Sequence, residues 1–348
     1  MGQYGRTGRL ERRATKEIED YLTPYKLRRP VLAPSGEKGA FDCLGVDNMR
    51  ICRHNGKFYM FYIRYDGTSY RTALAVSDDL INWEKKGVVL DAGSGRAWDN
   101  SGRVISCLVA DIDLYGSREL IKKDGKYWMY YHAYPGRGYE NGVAENGLAW
   151  TTDENLMEWY CEEKPVFSKG VKGQWDGDGM YSVWFLEHAG KSWLFYNGKK
   201  FLPGSWTEQV GVAFSDGLRN FKRYEGNPIL KVTPEHWDNR FSCGQHVLYD
   251  SHRKQWVMFY CGFDWKHAQE GVAISDDLLN WRKYEHPIIK VGEKGSLDSL
   301  HAHKPCMIYH DGALYHFYCS VRPTVTPEEK AKYGHEYRCI TVARSKPW

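Results

Sequence analysis

The sequence repeats one pattern five times, and this repetition constrains the fold more than any other feature. Each copy centres on an Ala that is followed, two positions later, by Ser or Thr. The five copies of this residue are Ala75, Ala149, Ala213, Ala273 and Ala343. They are separated by 60 to 74 residues. A period of this length means that the chain is an array of similar structural units.

Each copy has the sequence of a small antiparallel sheet. An aromatic segment precedes the repeated Ala, such as KFYMFYIRY in the first copy and KYWMYYHAY in the second. A hairpin with NG, DG or AG precedes that segment, and a short apolar strand such as NPIL ends the copy. Alternating apolar positions rich in Tyr, Trp, Phe and Val predict strands. Four antiparallel strands repeated in this way predict an all-β fold, a five-bladed β-propeller.

The ends of the chain predict how the propeller closes. We expect a single catalytic domain over residues 1–348, with blades at 42–90, 99–167, 176–230, 238–289 and 298–348. The first four copies finish with an apolar strand, whereas the fifth stops at Trp348 without one. The missing strand has a counterpart in RPVL at 29–32. An N-terminal strand that completes the last blade would close the ring and protect its edges.

Two further repeated features predict structural residues. In four copies an Asp lies 20 residues before the last Tyr of the aromatic strand, and these are Asp42, Asp111, Asp176 and Asp298. Asp238 has this place in the other copy, and Asp99 is a rival to Asp111 in the second. The turns after the repeated Ala carry Asp79, Trp83, Asp153, Trp159, Asp276 and Trp281. Asp caps turns through backbone amides, so we expect a structural role for both sets.

Composition excludes several classes of protein. The formal net charge is +4 and no long Lys/Arg block occurs, which argues against a nucleic-acid partner. No run of 18 apolar residues predicts a membrane span, and the N-terminus has no apolar signal-peptide core. The nine Cys are scattered without a CxxC motif, which favours free thiols and a cytoplasmic location. Aromatic residues make up 15% of the chain, which suits sheet packing and sugar stacking.

The register of the repeat predicts where a site would lie. Nine residues before the hairpin Gly stand Asp47, Gly116, Tyr181 and His303, with Cys243 as the nearest match in the fourth copy. Three positions earlier stand Asp113, Asp178 and Arg240. The innermost strands of a propeller line its channel, so this register predicts Asp47, Asp113, Asp178, Arg240 and His303 around one mouth. Carboxylates around one pocket suit the cleavage of glycosidic bonds.

The motif S-x-D-L-x-N-W followed by P-I-L resembles the five-bladed β-propeller glycoside hydrolases of families 43, 32, 117 and 130, over essentially the whole chain. GVDNMRICRHNG, with Asp47, is similar to the family 43 motif that supplies the general base. HAHKPCMIYHDG, with His303, is similar to the family 43 segment whose His lies near a channel metal, usually calcium. The resemblance therefore implies Asp47 as general base and a structural calcium near His303, with no other cofactor.

The sequence departs from the family 43 pattern in the second and third blades. That pattern implies an Asp at Gly116 and a Glu acid at Tyr181, and neither is present. Family 117 replaces the usual acid with a His, which makes His246, His301 and His303 candidates for the proton donor. An imidazolium with its ordinary pKa of about 6.5 donates a proton near neutrality.

Other residues are candidates for substrate binding. Arg118, Arg240 and Arg322 suit recognition of a carboxylate or sulfate, with salt bridges as the alternative. The candidate stacking platforms are Tyr139, Tyr181, Trp184 and Trp265, with core packing as the alternative.

These observations favour an exo-acting glycoside hydrolase that trims short oligosaccharides. We expect an inverting reaction with Asp47 as general base, and Asp178 or Asp113 as the acid or the tuner of its pKa. A phosphate-dependent phosphorylase, with Arg118, Arg240 and His303 near phosphate, and a non-catalytic sugar-binding propeller remain alternatives. The expected partner is an oligosaccharide, without nucleic acid or membrane, and the segment ERRATKEIEDYL (residues 11–22) is a candidate contact for a homodimer.

Overall fold

The computed structural model describes residues 16–93, 95 and 98–348 and shows an all-β, propeller-like arrangement, which confirms the predicted class. Four strands form each antiparallel unit, and in the first four units these strands are consecutive in the chain. The first unit contains β2 (Gly45–His54), β3 (Lys57–Tyr65), β4 (Tyr70–Ser77) and β5 (Glu84–Leu90). The second contains β6 (Gly102–Leu108), β7 (Tyr127–Tyr134), β8 (Glu145–Thr151) and β9 (Tyr160–Cys161).

The third and fourth units follow the same order. The third contains β10 (Gly179–His188), β11 (Lys191–Leu202), β12 (Ser205–Ser215) and β13 (Lys222–Arg223). The fourth contains β14 (Phe241–Asp250), β15 (Gln255–Phe263), β16 (Ala268–Ser275) and β17 (Arg282–Lys283). A single parallel bridge between Glu208 and Phe241 joins these two units into one larger sheet.

The last unit combines both ends of the chain. It contains β18 (His301–His310), β19 (Ala313–Pro323), β20 (Glu336–Arg344) and the N-terminal β1 (Tyr25–Lys26). Helix α1 (Pro327–Tyr333) lies between β19 and β20. Regular pairing with β20 therefore begins earlier than the predicted 29–32, although Val31 and Leu32 still donate backbone hydrogen bonds to Ile340.

The same buried ion pair recurs in several units and explains the repeated Asp. In the third unit Asp176 accepts from Arg223 (2.8 Å) and from the Tyr196 hydroxyl (3.1 Å). The equivalent contacts are Asp42 with Lys85, Asp238 with Lys283 and Tyr260, and Asp298 with Lys26 and Tyr318. We call these four Asp and Asp99 the landmark aspartates.

The cation of each pair lies opposite the repeated Ala of its unit. Lys26 pairs with Ala343 as Arg223 pairs with Ala213, so β1 has the place of a fourth strand. The second unit differs because Cys161 lies opposite Ala149, and Arg103 instead binds Asp99 (2.8 Å). The landmark of this unit is therefore Asp99 rather than Asp111.

The turns after the repeated Ala are structural, as predicted, with one correction. In the first unit Asp79 accepts from the backbone amides of Ile81 and Asn82, and these bonds lower the pKa of Asp79 to about 2. The Trp83 indole donates to the carbonyl of Leu80 (3.0 Å). In the fourth unit the residue with this role is Asp277, which accepts from Asn280, and not Asp276.

An insertion in the second unit closes one end of the central axis. Residues 109–121, which we call the plug loop, lie between β6 and β7. On the first unit, the amide of Arg53 donates to the carbonyl of Arg118 in the plug loop (2.9 Å). On the fourth unit, the carbonyl of Tyr249 accepts from the amide of Leu114 in the plug loop (2.8 Å). The loop therefore crosses beneath the axis, at the hairpin ends of the inner strands.

The described part of the N-terminal segment packs on its own chain. Tyr21 is buried and its hydroxyl donates to Asp250 (2.5 Å), while Arg253 pairs with Asp20 (2.6 Å). Residues 16–22 of the candidate dimer contact therefore lie on the fourth unit, and residues 11–15 lie outside the described part. All nine cysteines are free thiols. Among the described residues, no helix has the length and apolar character that spanning a membrane requires.

We predict that Lys283→Ala lowers the free energy of unfolding by about 3 kcal/mol, because it leaves the Asp238 carboxylate buried without its cation. Lys283 lies 2.6 Å from Asp238, whose side chain is 2% exposed. Lys57→Ala removes the exposed Lys57–Asp78 pair (3.1 Å) and is the control, with an expected loss below about 1 kcal/mol. Urea unfolding of both variants measures the difference, and equal losses would contradict a structural role for the landmark pairs.

Candidate active site

A β-bulge interrupts the first strand of every unit at the same place. The register shifts after Asp47, Ile105, Tyr181, Cys243 and His303. Three of the extra residues have left-handed backbones, with φ of 23° at Asn48, 63° at Gly244 and 68° at Lys304. Bulges re-aim side chains and are frequent next to active sites. Here they bring residues of different units to one central cavity.

Side chains tie the bulges together across the axis. Arg50 is 3% exposed and donates from Nε to the Ser106 carbonyl (2.7 Å) and from Nη1 to the Met49 carbonyl (2.8 Å). Its guanidinium lies 5.6 Å from the centre of the Trp184 ring. Trp184 is fully buried, and the Arg118 guanidinium of the plug loop lies 5.4 Å from the same ring. The floor of the cavity is therefore closed.

The cavity above this floor has a volume of about 270 Å³. It contains cations, histidines, two carboxylates and many aromatic rings. The charged and histidine side chains are Arg50, Lys304, Arg338, His132, His301, His303, Glu140 and Glu208. The aromatic side chains are Tyr70, Tyr134, Tyr139, Tyr181, Trp206, Phe241 and Phe263. Such a mixture suits a polar ligand with apolar faces.

Asp47 lies behind two of the cavity cations. Its Oδ2 contacts Lys304 Nζ (2.7 Å) and Arg338 Nη1 (3.1 Å), and its Oδ1 accepts from the Asn48 amide (2.7 Å). Burial raises the pKa of this carboxyl, but the two cations lower it more, and the net pKa is far below the ordinary value. Asp47 is therefore a permanent anion that positions Lys304 and Arg338.

Glu208 is a buried carboxylate that the sequence analysis missed. It is 9% exposed and lies on β12 at the seam with the fourth unit, where its amide donates to the Arg240 carbonyl (3.1 Å). Asn197 Nδ2 donates to one carboxylate oxygen (2.9 Å) and Trp206 Nε1 to the other (3.0 Å). These two bonds fix the orientation of the carboxylate toward the cavity.

Glu140 is the second missed carboxylate, on the connection between β7 and β8. This connection leans on the first unit, where the Gly138 amide donates to the Thr68 carbonyl (2.7 Å) and the Tyr139 ring contacts Tyr70 at 5.1 Å. The Glu140 side chain stays exposed at the mouth. Enclosure by the surrounding protein and the charge of Glu208 raise its pKa, against the opposite effect of Lys304.

The structure brings only some of the predicted site residues to the cavity. Tyr139, Tyr181, His301 and His303 line it. Asp178 lies near the same end, but its carboxylate accepts from the Phe201 amide (2.8 Å) and caps the β10–β11 pair. Arg240 and Trp265 lie beside each other outside the cavity, with the guanidinium 6.0 Å from the ring.

The placement of Asp113 at the mouth is corrected. Asp113 lies in the plug loop, in a parallel bridge with Tyr249, at the opposite end of the axis. The plug loop lengthened the distance to the hairpin Gly, so the residue equivalent to Asp47 is Ile105 and not Gly116.

Three other expected substrate contacts also lie elsewhere. Arg118 belongs to the plug loop, and Trp184 is fully buried beneath the cavity. Arg322 pairs with Glu329 of α1 (2.5 Å).

The histidines are poor candidates for an imidazolium acid. Burial lowers the pKa of His301 to about 4, and it lowers the pKa of His246 and His303 well below their ordinary value. The His246 ring lies under the cavity, 4.2 Å from the Trp184 ring centre, and its Nδ1 lies 3.3 Å from the Pro305 carbonyl. All three rings are therefore neutral near pH 7.

The residues around His303 do not fit the expected calcium. Ligand atoms of Asp47, His303 and Cys319 lie within 4.8 Å of one another. Calcium takes about six to eight oxygen ligands, whereas this cluster offers one carboxylate, one imidazole and one thiol. The carboxylate is already neutralised by Lys304 and Arg338.

The repeat contained a signal for Glu208. Glu208 stands five residues before Ala213, and the equivalent residues are Tyr70, Ala144, Ala268 and Arg338. Three of these four also line the cavity. In four of the five units the third strand, as well as the first, therefore faces the axis. Glu140 lies on a connection outside the repeated strands, where the pattern carries no signal.

Comparison with known proteins identifies the family. Residues 117–297, just over half of the chain, match the model described as the glycosyl hydrolases family 32 N-terminal domain. The chain belongs to this glycosyl hydrolase family. The family 32 chain is also 27% identical over 180 residues to a 1,2-beta-oligomannan phosphorylase of Thermoanaerobacter sp. (strain X514), an alignment that covers 51% of this chain. The chain matches about half (49%) of that relative's length.

Two solved structures are similar to the family 32 chain over almost its whole length. One is a complex of BT0996 with RGII, with 30% identity, a TM-score of 0.82 and coverage of 97% of this chain and 96% of the other protein. The second is a glycoside hydrolase, with 29% identity, a TM-score of 0.80 and the same coverage.

We predict that Asp47→Asn lowers the free energy of unfolding by about 3 kcal/mol at pH 7, because it removes the buried carboxylate that Lys304 and Arg338 share and leaves Arg338 with only its pair to Glu336 (2.7 Å). The depressed pKa of Asp47 stabilises the folded state above the ordinary Asp pKa of about 4. This contribution is lost as the pH falls from there toward the depressed pKa, so the difference between wild type and variant narrows in acid.

Urea unfolding from pH 7 to pH 3 measures this difference. The matched control is Asp178→Asn, whose side-chain oxygen still accepts from the Phe201 amide, with an expected loss below about 1 kcal/mol. A difference between wild type and Asp47→Asn that grew in acid would refute the ion-pair role.

Proposed function

We propose that the family 32 chain is an exo-acting glycoside hydrolase, with its active site on the axis of a closed, five-bladed propeller. The observation that carries this proposal is the pair Glu140 and Glu208, which come from different units and face one blind cavity. A pair of carboxyl groups is what most glycoside hydrolases use to cleave the glycosidic bond. The pairing of β1 with β20 supports the closed ring.

The shape of the cavity supports cleavage at a chain end. The floor formed by Arg50, Trp184 and the plug loop leaves no passage along the axis. A volume of about 270 Å³ is at the small end of ligand pockets and suits a single sugar unit. A terminal sugar therefore enters the cavity, while the rest of the oligosaccharide stays outside.

The two carboxyl groups differ in the way that acid and base must differ. The pKa of Glu140 is shifted upward by desolvation and by the charge of Glu208, which is the direction that suits a general acid. Glu208 is held by Asn197 and Trp206 in one orientation, which suits a general base or nucleophile. This allocation replaces Asp47 as the preferred base, because a carboxylate with a strongly lowered pKa accepts protons poorly.

Lys304 and Arg338 have a separate task in this mechanism. Held by Asp47, both cations face the cavity and can donate hydrogen bonds to sugar hydroxyl groups. Charge-assisted bonds of this kind are short and directional, so they orient the terminal sugar between the two carboxyl groups. The inverting stereochemistry stays a prediction.

A phosphate-dependent phosphorylase is the second candidate. Its support is the similarity to the oligomannan phosphorylase, together with the cavity cations Lys304 and Arg338. In that reaction phosphate replaces water as the attacking group, so turnover would require added phosphate.

We predict that Glu140→Gln and Glu208→Gln each lower kcat by about 10³-fold, because each removes an acid or base from the transition state. The measurement is sugar release from a panel of plant and algal oligosaccharides, with and without phosphate. Glu225→Gln, an exposed residue on the outer edge of the third unit, is the control and keeps wild-type kcat.

Azide rescue separates Glu208 from Asp47 in the same assay. In Glu208→Ala the small anion replaces the missing carboxylate and restores turnover, whereas Asp47→Ala gains nothing. Rescue of Asp47→Ala alone would return the base to Asp47, and strict phosphate dependence would select the phosphorylase.

We predict that kcat/KM falls as the pH rises through the raised pKa of Glu140. The general acid must be protonated, so activity is present below this pKa and lost above it. The pH profile of wild type on the oligosaccharide is compared with its profile on a substrate whose leaving group needs no proton, such as a glycosyl fluoride, and with that of Glu140→Gln on the fluoride. The alkaline limb should be absent from both fluoride profiles, and its persistence in Glu140→Gln would show that a group other than Glu140 causes it.

A further inference from the structure

A group of aromatic side chains continues from the cavity to the surface on the side of Glu208. Trp206, Phe241 and Phe263 line the cavity, and Trp265 and Phe201 extend from them into solvent, with 39% and 57% of their surfaces exposed. We call these five residues the aromatic wall. Contiguous exposed aromatic surface beside a pocket is a binding feature more often than a packing feature.

Trp265 is held in an unusual conformation. Its φ is 76°, a backbone region that bulky residues rarely adopt. The Asp264 side chain fixes the turn by accepting from the amides of Lys266 (2.9 Å) and His267 (2.8 Å). The ring lies 4.7 Å from Trp206 and 5.4 Å from Phe263, in edge-to-face geometry. The Asp264 turn and the contacts with Trp206 and Phe263 thus hold Trp265 in this conformation, with its ring beside the mouth of the cavity.

The aromatic wall is connected directly to the proposed chemistry. The Trp206 indole donates to Glu208, so the ring that contacts Trp265 also orients a catalytic carboxylate. Lys199 Nζ lies 4.7 Å from the centre of the Trp206 ring and donates to the Tyr181 hydroxyl (2.8 Å). Lys199 and Arg240 add hydrogen-bond donors next to the rings, as a site for a hydroxyl-rich ligand requires.

We propose that the aromatic wall binds the sugar unit next to the one that is cleaved, on the leaving-group side. This inference rests on the proposed function. The cavity is closed below and suits one sugar, so the next unit must lie at the mouth. Sugar rings expose C–H faces that stack on aromatic rings, and the exposed Trp265 ring provides such a surface at the edge of the site.

The test compares two substrates with the same terminal sugar. One is the oligosaccharide that wild type cleaves best in the panel, and the other is the glycosyl fluoride, which has no second sugar. Trp265→Ala should raise KM for the oligosaccharide about tenfold, which corresponds to one good aromatic contact. Its kcat/KM for the fluoride should stay within about twofold of wild type. Trp265→Phe keeps a ring and should recover most of the affinity.

Controls separate binding from folding. Trp348→Ala removes a Trp of similar exposure (47%) on the fifth unit, where it contacts Tyr25, and should change neither substrate's kinetics. Urea unfolding shows that each variant is folded. An equal loss on both substrates would assign Trp265 to the cavity itself, and unchanged kinetics on both would show that the wall binds no sugar.

A binding measurement keeps the inference independent of turnover. Isothermal titration compares Glu208→Gln with the double variant that also carries Trp265→Ala. The double variant should bind the panel oligosaccharides more weakly than Glu208→Gln and should bind the monosaccharide equally well. If wild type cleaved neither substrate, the proposed function would fail, while this titration would still decide the role of the wall. Equal oligosaccharide affinity with and without Trp265 would refute the inference.

Discussion

The β-bulge shared by all five inner strands is the feature on which the rest of the structure depends. Successive side chains of a regular strand point to the two opposite faces of its sheet, where they pack against the neighbouring units. Few of them therefore point toward the central axis. The extra residue at Asn48, Gly244 and Lys304 breaks this alternation where the strands come closest. The broken ladder frees backbone carbonyls such as those of Ser106 and Pro305, which accept from Arg50 and contact His246. The same bulge therefore both brings side chains to the cavity and provides the carbonyl groups that connect the inner strands to one another.

Buried charge serves two purposes in this molecule, and the difference lies in whether the paired cations line the central cavity. The landmark aspartates Asp176, Asp238 and Asp298 each meet one cation and at least one hydroxyl group. Asp47 at the axis meets two cations. Arg338 also pairs with Glu336 (2.7 Å), and both cations line the cavity, where a ligand can reach them. A buried ion pair is weak evidence for stability by itself, and here the place of its two cations in the cavity is what gives this cluster a functional meaning.

Much of the fold followed from the sequence because each unit is built from local signals. The repeated Ala, the hairpin Gly and the aromatic strands gave the class and the equivalence of Asp47, Tyr181 and His303, which all precede a bulge. The site followed less well, because its geometry comes from contacts between units. An insertion shifted the second unit's register, and Glu208 lies on a third strand, whereas the predicted site was confined to the innermost strands. Glu140 depends on a connection that rests on a neighbouring unit, which no local pattern encodes.

The plug loop determines how substrate and product enter and leave the site. Because the plug loop closes one end of the axis, a molecule that enters the cavity must leave through the same opening. In the proposed exo-acting reaction, the released sugar leaves the cavity only after the shortened chain has moved away from the mouth. In that reaction the protein cannot slide along a polymer, and each cleavage ends in full dissociation. Such an enzyme works by repeated separate encounters, and its own free product competes with the next chain end for a single entrance.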